Sequence, residues 1–238
     1  GSIMACLEMG GCLAGLLIDK SAEALQKNEE YKRAVKGRTP QQKQVIDYFY
    51  MKGGCLNKTI TDQEYDAMVM ERIGREDFKQ KALNRLGIDE SEVQEIAPVH
   101  FESYYFDANG KTSSRLGKDH VWRSSGYQVT WLFFSDTQVY IYQYTLNMDE
   151  DGQKERTEEY FYRDVTNFSS AAETEEQIVA DKVSCTGKTS YIRKNITYDS
   201  MSVIVPGDKF SCAMTRNDYS EKAIQGMKAK LREKKNQR

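Results

Sequence analysis

The sequence predicts an α+β fold: a helical region over residues 1–97, then an antiparallel β-barrel or sandwich over residues 98–238 that is closed by a C-terminal helix. Three observations predict this order. Apolar residues before Pro98 recur every three or four positions between helix-capping signals. After Pro98 they alternate with a period of two, and no helix-length segment separates the strands, which favours antiparallel pairing. The last segment returns to helical spacing, so a helix ends the fold.

The predicted helices begin at residues that cap helices. Ser21 precedes the first helix, and Thr39 and Thr61 each open a capping box with a glutamine or glutamate three residues on. Gly53-Gly54 and Gly87 end the helices that follow. The spacing predicts helices over 21–34, 39–52 and 61–86, with an interruption at Gly74 in the last of these.

The predicted strands are short and closely spaced. They cover 100–107, 127–134, 139–146, 159–163, 165–169, 191–197, 201–205 and 209–214. Val139–Leu146 is apolar on both faces, which indicates that the helical half packs against this sheet. Asn217 or Asp218 starts the final helix, which places Ala223, Met227 and Leu231 on one face.

Strand order, final helix and one short segment carry a family resemblance. The segment is Tyr162-Arg163-Asp164-Val165-Thr166-Asn167-Phe168-Ser169. With the elements around it, over about residues 99–236, the chain resembles bacterial pleckstrin-homology-like domains. The resemblance implies a binding or scaffolding module and not an enzyme. It does not imply phosphoinositide binding, since the loop after the first strand mixes acidic with basic residues.

Charge argues against a nucleic-acid partner. The net charge is −2, and the basic excess is confined to residues 217–238, with seven basic and three acidic side chains. Helices 39–52 and 61–73 could form a helix-turn-helix, but the second would present Asp62, Gln63, Glu64, Asp66 and Glu71, which repel phosphate. A helical hairpin that contacts protein is preferred.

Cysteine usage predicts a cytoplasmic protein. The five cysteines (Cys6, Cys12, Cys55, Cys185 and Cys212) include no Cys-x-x-Cys pair and are interpreted as reduced thiols. A pairing of Cys185 with Cys212 on neighbouring strands stays open. The apolar segment Ile3–Ile18 contains Glu8 and three glycines, so it is interpreted as a packed helix, with a membrane-dipping helix as the alternative.

One acidic segment is a candidate calcium loop. Asn147, Asp149, Asp151 and Glu158, with Gly152 between them, place oxygen ligands at alternate positions before a terminal carboxylate. The expected flanking elements are strands and not helices. A solvated acidic hairpin turn explains the same residues, so no metal or cofactor is predicted.

Aromatic and basic side chains supply candidate contacts for a protein partner or an anionic membrane surface. The aromatic stripe on the central strands is interpreted mainly as a wall of the core. The basic end of the last helix is interpreted mainly as a solvated helix terminus. The candidate contact residues are Trp131, Tyr140, Tyr142, Lys228, Lys230, Arg232, Lys234 and Lys235.

Catalytic signatures are few. His100 and His120 have no neighbouring nucleophile motif, and the chain has no Gly-x-Ser-x-Gly and no phosphate-binding glycine loop. The sequence therefore predicts a non-catalytic adaptor for a protein partner. A peripheral membrane protein, anchored by Ile3–Ile18 and the basic helix, and an enzyme whose site is assembled from distant residues are the alternatives.

Overall fold

The computed structural model describes residues 22–237, in which helices come first, strands follow and a helix comes last, as predicted. The strands at 114–116 and 122–124 are absent from the predicted set, and the predicted strands 191–197 and 201–205 belong to one strand. The helices are α1 (22–35), α2 (Pro40–Phe49), α3 (Asp62–Gly74), α4 (Phe78–Leu86) and α5 (Asp218–Asn236). The strands are β1 (Val99–Tyr105), β2 (Ser114–Leu116), β3 (Trp122–Ser124), β4 (Gly126–Phe134), β5 (Gln138–Asn147), β6 (Gln153–Phe161), β7 (Asn167–Val183), β8 (Thr189–Val205) and β9 (Asp208–Met214). The α+β class is confirmed. Ile3–Ile18, Cys6, Cys12 and Ser21 lie outside the described residues.

Local capping explains where the helices begin and end. Before α2, Thr39 Oγ1 accepts from the Gln42 N–H at 3.2 Å, and Gln42 Oε1 accepts from the Thr39 N–H at 3.1 Å, so the capping box at Thr39 is confirmed. Asp77 caps α4, which makes α3 and α4 separate helices. Gly87 ends α4 with a positive φ of 68°. Within residues 22–237, no helix has the length and apolarity needed to cross a bilayer.

The chain divides into two compact units. The described part of unit 1 is 22–61 with Ile178–Lys194, and that of unit 2 is Asp62–Gln177 with 195–237. The hairpin of β7 and β8 therefore contributes residues to both units. The predicted boundary between residues 97 and 98 marks the change from helices to strands. The two compact units are instead sets of residues that lie close together in space.

In unit 1 α2 buries Val45, Ile46, Tyr48 and Phe49, and a disulfide joins Cys55 to Cys185 with a Cα–Cα distance of 4.9 Å. The prediction of five reduced thiols is therefore wrong for this pair. Cys212 is free and buried on β9, so the open pairing of Cys185 with Cys212 is also wrong. The physical reason is tertiary. The turn between β7 and β8 meets the loop after α2 across 130 residues, a proximity that cysteine spacing does not reveal.

In unit 2 a four-stranded sheet has the order β1-β4-β5-β6 and a three-stranded sheet has the order β7-β8-β9. Neighbours with a defined register pair antiparallel. The short hairpin β2-β3 forms a separate ribbon. The described strands thus form open sheets of four, two and three strands, and closure into a barrel is not confirmed.

Some strand boundaries differ from the predicted ones. β6 begins at Gln153 and β7 extends to Val183, so both strands are longer than predicted. The sequence predicts them too short because these largely exposed strands carry charged side chains and lack the apolar alternation that marks a half-buried strand. Residues Tyr162–Asp164 form a 3₁₀ turn and not the end of a strand. Tyr162 is buried there, and its hydroxyl donates to the Ser135 carbonyl at 2.6 Å.

The apolar core of unit 2 lies between the sheets at one end. On the inner face of the four-stranded sheet, Phe134 pairs with Val139 and Leu132 pairs with Ile141. The three-stranded sheet and α5 complete the cluster, which includes Met201, Val203, Phe210, Ala223, Ile224, Met227 and Leu231. The predicted apolar face of the last helix is confirmed, and Ile224 joins it.

Part of the outer face of the same sheet is covered by α4. Tyr142 and Tyr144 are fully buried, and the Phe78 ring lies 5.1 Å from that of Tyr144. The prediction that helices from the first part of the chain pack against this sheet is confirmed for α4, and the aromatic stripe is a wall of the core there.

A charged network occupies α3 and the β2-β3 hairpin. Arg123, only 3% exposed, bonds the Asp66 and Asp119 carboxylates at 2.8 Å each. The Arg123 guanidinium holds the pKa of Asp119 well below its usual range. Asp62, which the helix-turn-helix alternative needs at the surface, is buried and accepts from the Lys118 N–H at 2.9 Å. The carboxylates of Asp62, Asp66 and Asp119 therefore all form bonds within unit 2.

Candidate binding site

The inner face of unit 2 changes from apolar to polar along β4 and β5. Beyond the pair Leu132–Ile141, the next inward pairs are Thr130–Gln143 and Gln128–Thr145. Side chains alternate along a strand, so these polar residues face the second sheet as their apolar neighbours do. The inner face of this sheet therefore has an apolar end and a polar end.

Two glutamines join the sheets at the polar end. Gln143 Nε2 donates to the Ser211 carbonyl at 3.1 Å and to Thr130 Oγ1 at 3.2 Å. Gln128 Oε1 accepts from the Ala213 N–H at 2.7 Å, and its Nε2 donates to Thr145 Oγ1 at 2.9 Å. Both amides thus bond the backbone of β9, an edge strand, whose unpaired polar groups would otherwise be costly to bury.

A cavity of about 630 Å³ opens beyond these glutamines. Its walls come from the end of β1, the following loop, and β4, β5 and β6. The lining residues are Tyr105, Asp107, Asn109, Lys111, Thr112, Gln128, Gln143, Thr145, Asn147, Glu150, Gly152, Gln153, Lys154, Glu155 and Arg156. This volume falls within the range of ligand clefts, although the lining is more polar than is usual for small apolar ligands.

A smaller cavity of about 230 Å³ shares Tyr105 and Gln128 with the larger one and reaches the second sheet. Phe106 and Tyr198 stack there with ring centroids 5.4 Å apart. The Tyr198 hydroxyl donates to Glu175 at 2.8 Å, and burial together with this carboxylate raises the Tyr198 pKa. Burial also raises the pKa of Tyr105. These phenols stay protonated at neutral pH, so they act as neutral polar or stacking surfaces.

The larger cavity reaches the edge of β6. Four consecutive residues, Gln153–Arg156, line it. Gln153 and Glu155 accept from the outward-facing Tyr144 and Tyr142, whereas the Arg156 guanidinium lies 4.9 Å from the Phe210 ring of the core. Since residues with side chains on opposite faces of β6 border the same space, the cavity reaches the free edge of the strand. Within residues 22–237, β6 pairs with β5 on one side and with no strand on the other.

Charge in the larger cavity is mixed, with three cationic side chains (Lys111, Lys154 and Arg156) and three anionic ones (Asp107, Glu150 and Glu155). Over Lys154–Arg156 the two signs are divided between faces, since Lys154 and Arg156 share the inward face and Glu155 lies on the outward one. Glu158, further along the same inward face, pairs with Arg156. A ligand along this edge would therefore meet cations on its inward side.

The candidate calcium ligands do not converge. Glu158 pairs with Ile141, whereas Asn147 is six residues further along β5, a separation of roughly 20 Å at ordinary strand spacing. Asn147 Nδ2 donates to Glu150 in the hairpin turn, and Glu158 pairs with Arg156 at 3.0 Å. Among the described residues, no cluster of three or more His, Cys, Asp or Glu side chains could hold a metal ion.

The candidate aromatic contacts have different environments. Trp131 is half-buried and stacks on His100 at 4.7 Å and on Phe133 at 6.0 Å. Tyr140 is half-buried and donates to Gln138, whereas Tyr142 is fully buried and donates to Glu155 at 2.7 Å. Tyr142 is therefore inaccessible to a partner in this conformation.

Two basic residues of α5 are held by acidic neighbours. Lys230 bonds Glu95 and Glu233, and Lys234 bonds Asp136 at 2.8 Å with its ammonium 5.7 Å from the Tyr162 ring. These hydrogen bonds raise the pKa of both lysines. Lys228 is half-buried, and Arg232 and Lys235 are exposed. The basic helix thus offers a membrane surface less unpaired charge than its composition suggests.

Asn147 and Gly152 of the candidate calcium loop line the larger cavity, but the sequence does not predict the other cavity residues, because they belong to no motif. Gln128 and Gln143 interrupt apolar alternation on adjacent strands, and such a polar pair at inward positions is the signal that could have located the polar end. Tyr198, Arg156 and the residues after β1 meet only through tertiary packing. His100 and His120 lie outside both cavities.

Comparison of the chain with family models, with curated proteins and with solved structures finds no match in any of the three.

Proposed function

We propose that the chain is a non-catalytic binding module that takes an extended segment of a partner protein along the edge of β6. The observation that carries this proposal is the cavity of about 630 Å³ that is lined by Gln153–Arg156 at an unpaired strand edge. An exposed edge offers backbone donors and acceptors to an added strand, and the pockets beside it select side chains.

The order of elements supports a pleckstrin-homology-like sandwich as the framework. Four strands in one sheet, three in the next and a final helix packed on the core follow one another along the chain. β1 lies beside β9, and Thr215 Oγ1 donates to the Glu102 carbonyl at 2.9 Å. These contacts favour two sheets that meet along one side and separate near β6.

The partner segment has a defined chemistry in this proposal. It is extended, because it adds to a strand, and every second side chain faces the inward cations Lys154 and Arg156. Acidic side chains at these alternate positions are favoured. The residues between them face Gln153 and Glu155, where neutral polar or basic side chains fit.

Peptide selection with the intact chain tests the proposal. Peptides chosen from a random displayed library should be enriched in acidic residues at alternate positions. Backbone amide resonances of Gln153–Arg156 should shift when the peptide is added, and their hydrogen exchange should slow. Arg156→Glu should weaken binding about tenfold through like-charge repulsion, and a peptide with the acidic residues changed to lysine should recover part of the affinity.

The matched control is Arg232→Glu, the same charge reversal at an exposed position of α5. Its affinity for the peptide should equal that of the parent. Selected peptides that bind Arg156→Glu as tightly as the parent, or that shift resonances mainly on another surface, would exclude the β6 edge as the site.

A further inference from the structure

The disulfide of unit 1 lies at the surface. Cys55 belongs to the loop after α2, Cys185 belongs to the turn between β7 and β8, and both residues are exposed. Disulfides exchange when a thiolate attacks one of the two sulfurs, so access governs their reactivity, and exposed disulfides are the labile ones. This pair is open to thiols of the surrounding solution.

A cavity of about 600 Å³ in unit 1 is lined by both cysteines. Three lysines, Lys43, Lys52 and Lys58, line the same space, against a single acidic residue, Asp47. The Asp47 carboxylate accepts from the Tyr31 hydroxyl at 2.6 Å. The lining is therefore net cationic, and a concave cationic surface raises the local concentration of anions.

Other contacts keep the two cysteine segments close together. Thr189 Oγ1 donates to the Met51 carbonyl at 3.1 Å, which links the start of β8 to the loop after α2. A Cβ placed on Gly54 would lie 3.2 Å from the Cys185 carbonyl oxygen, so the two backbones approach closely at this point. Because these contacts do not depend on the sulfur–sulfur bond, the two thiols remain near each other after reduction and the bond can form again.

We propose that Cys55–Cys185 is a thiol–disulfide exchange site for small thiols that carry anionic groups. The thiolate of a first molecule bonds one cysteine sulfur, the Cys55–Cys185 bond breaks, and the other cysteine leaves as a thiolate that the lining lysines stabilise. A second thiol attacks the mixed disulfide and releases the remaining cysteine. Two small thiols are oxidised to one disulfide, the protein disulfide is reduced to two thiols, and the two thiol protons pass to the cysteines.

Cys212 provides an internal reference for this site. It is 2% exposed in unit 2, and burial raises its pKa to about 12, so its thiol resists reagents while the fold is intact. Reaction at Cys55 and Cys185 without reaction at Cys212 therefore distinguishes exchange in the folded protein from exchange after unfolding.

The test compares thiols of different charge on the intact, air-oxidised chain. Peptide mapping should first recover the cross-linked Cys55–Cys185 peptide. The chain is then treated with reduced glutathione, 2-mercaptoethanol or cysteamine, quenched with acid, alkylated and mapped, and rates are expressed per thiolate. Anionic glutathione should react about tenfold faster than cationic cysteamine, at the lower end of electrostatic focusing. This difference should fall in high salt.

Two lysine variants locate the effect. Lys52→Gln and Lys58→Gln should each reduce the preference for glutathione, whereas Lys36→Gln, at an exposed position outside the cavity, should leave it unchanged. Equal rates for all three thiols, absence of the cross-linked peptide, or reduction only when Cys212 also reacts would overturn the proposal.

Discussion

The two ends of the inner face of β4 and β5 in unit 2 use the same two strands in opposite ways. At one end, Phe134–Val139 and Leu132–Ile141 face α5 and exclude water. At the other, Gln143 and Gln128 bond the backbone of β9 and border a cavity. A few inward residues thus decide whether one end of this sheet face is closed to water or borders a cavity. The following variants test this difference, from the largest expected effect to the smallest.

Phe134→Ala at the apolar end should lower the free energy of unfolding by about 3–5 kcal/mol, because it removes a fully buried ring and leaves a cavity. The ring packs edge-on to Phe168 at 6.3 Å, so contacts with the second sheet are lost as well. Urea unfolding of the intact chain measures the loss. A loss below about 1 kcal/mol would show that this end is loosely packed.

Gln143→Leu at the polar end should cost about 1–3 kcal/mol, because the Ser211 carbonyl and Thr130 hydroxyl lose their donor. Gln225→Leu, the same change at an exposed position of α5, is the control and should stay within about 0.5 kcal/mol of the parent. If both variants are equally stable, the glutamine bonds between the sheets contribute nothing measurable. The measurement is the urea midpoint at constant m-value.

Cys212 lies in the core beside Thr130, between the apolar and polar ends, and its burial there raises the pKa of its thiol. Folding raises its pKa from about 9 to about 12, so the resulting stabilisation is fully present below pH 9 and is lost as the pH rises through 12. The free energy of unfolding should fall by about 1 kcal/mol between pH 7 and pH 10 through this group. Cys212→Ala should lack this part of the decline, and an unchanged pH profile in that variant would contradict the assignment.

Lys154→Gln on β6 should change the free energy of unfolding by less than about 0.5 kcal/mol, because the side chain is exposed. The same variant should bind the selected acidic peptides more weakly, since one inward cation is lost. Parallel measurements of urea unfolding and peptide affinity separate the two effects. A variant that loses stability but keeps its affinity would reverse the roles assigned to the two ends.

Much of the fold could be predicted because its signals are local. The capping box at Thr39, the period-two segments of β4 and β5, and the apolar face of α5 each arise from residues close in sequence. The predicted segments for the charged strands β6 and β7 are too short, because backbone pairing and not burial of side chains stabilises these strands. Tyr162–Asp164 turns because Tyr162 is buried and bonded to Ser135, a contact 27 residues away.

The candidate sites could not be predicted to the same extent. The acidic hairpin is a candidate cation loop by its spacing, with a solvated turn as the preferred interpretation, and the register of β5 and β6 separates Asn147 from Glu158. The cysteines were interpreted by number and spacing, yet Cys55 and Cys185 meet across 130 residues. In each case the sequence shows residue types, whereas the chemistry depends on distances set by distant pairing.

By itself the sequence determined the α+β class, the order of helices first, strands next and a helix last, and which face of α5 is apolar, because helix and strand periodicities are properties of neighbouring residues. Only the tertiary structure decided that Gln128 and Gln143 bond the backbone of β9, that a cavity reaches the free edge of β6, and that a disulfide closes unit 1. The physical reason is that sheet register and loop contacts join residues far apart in the chain, and the free energy of those contacts exists only once the fold has formed.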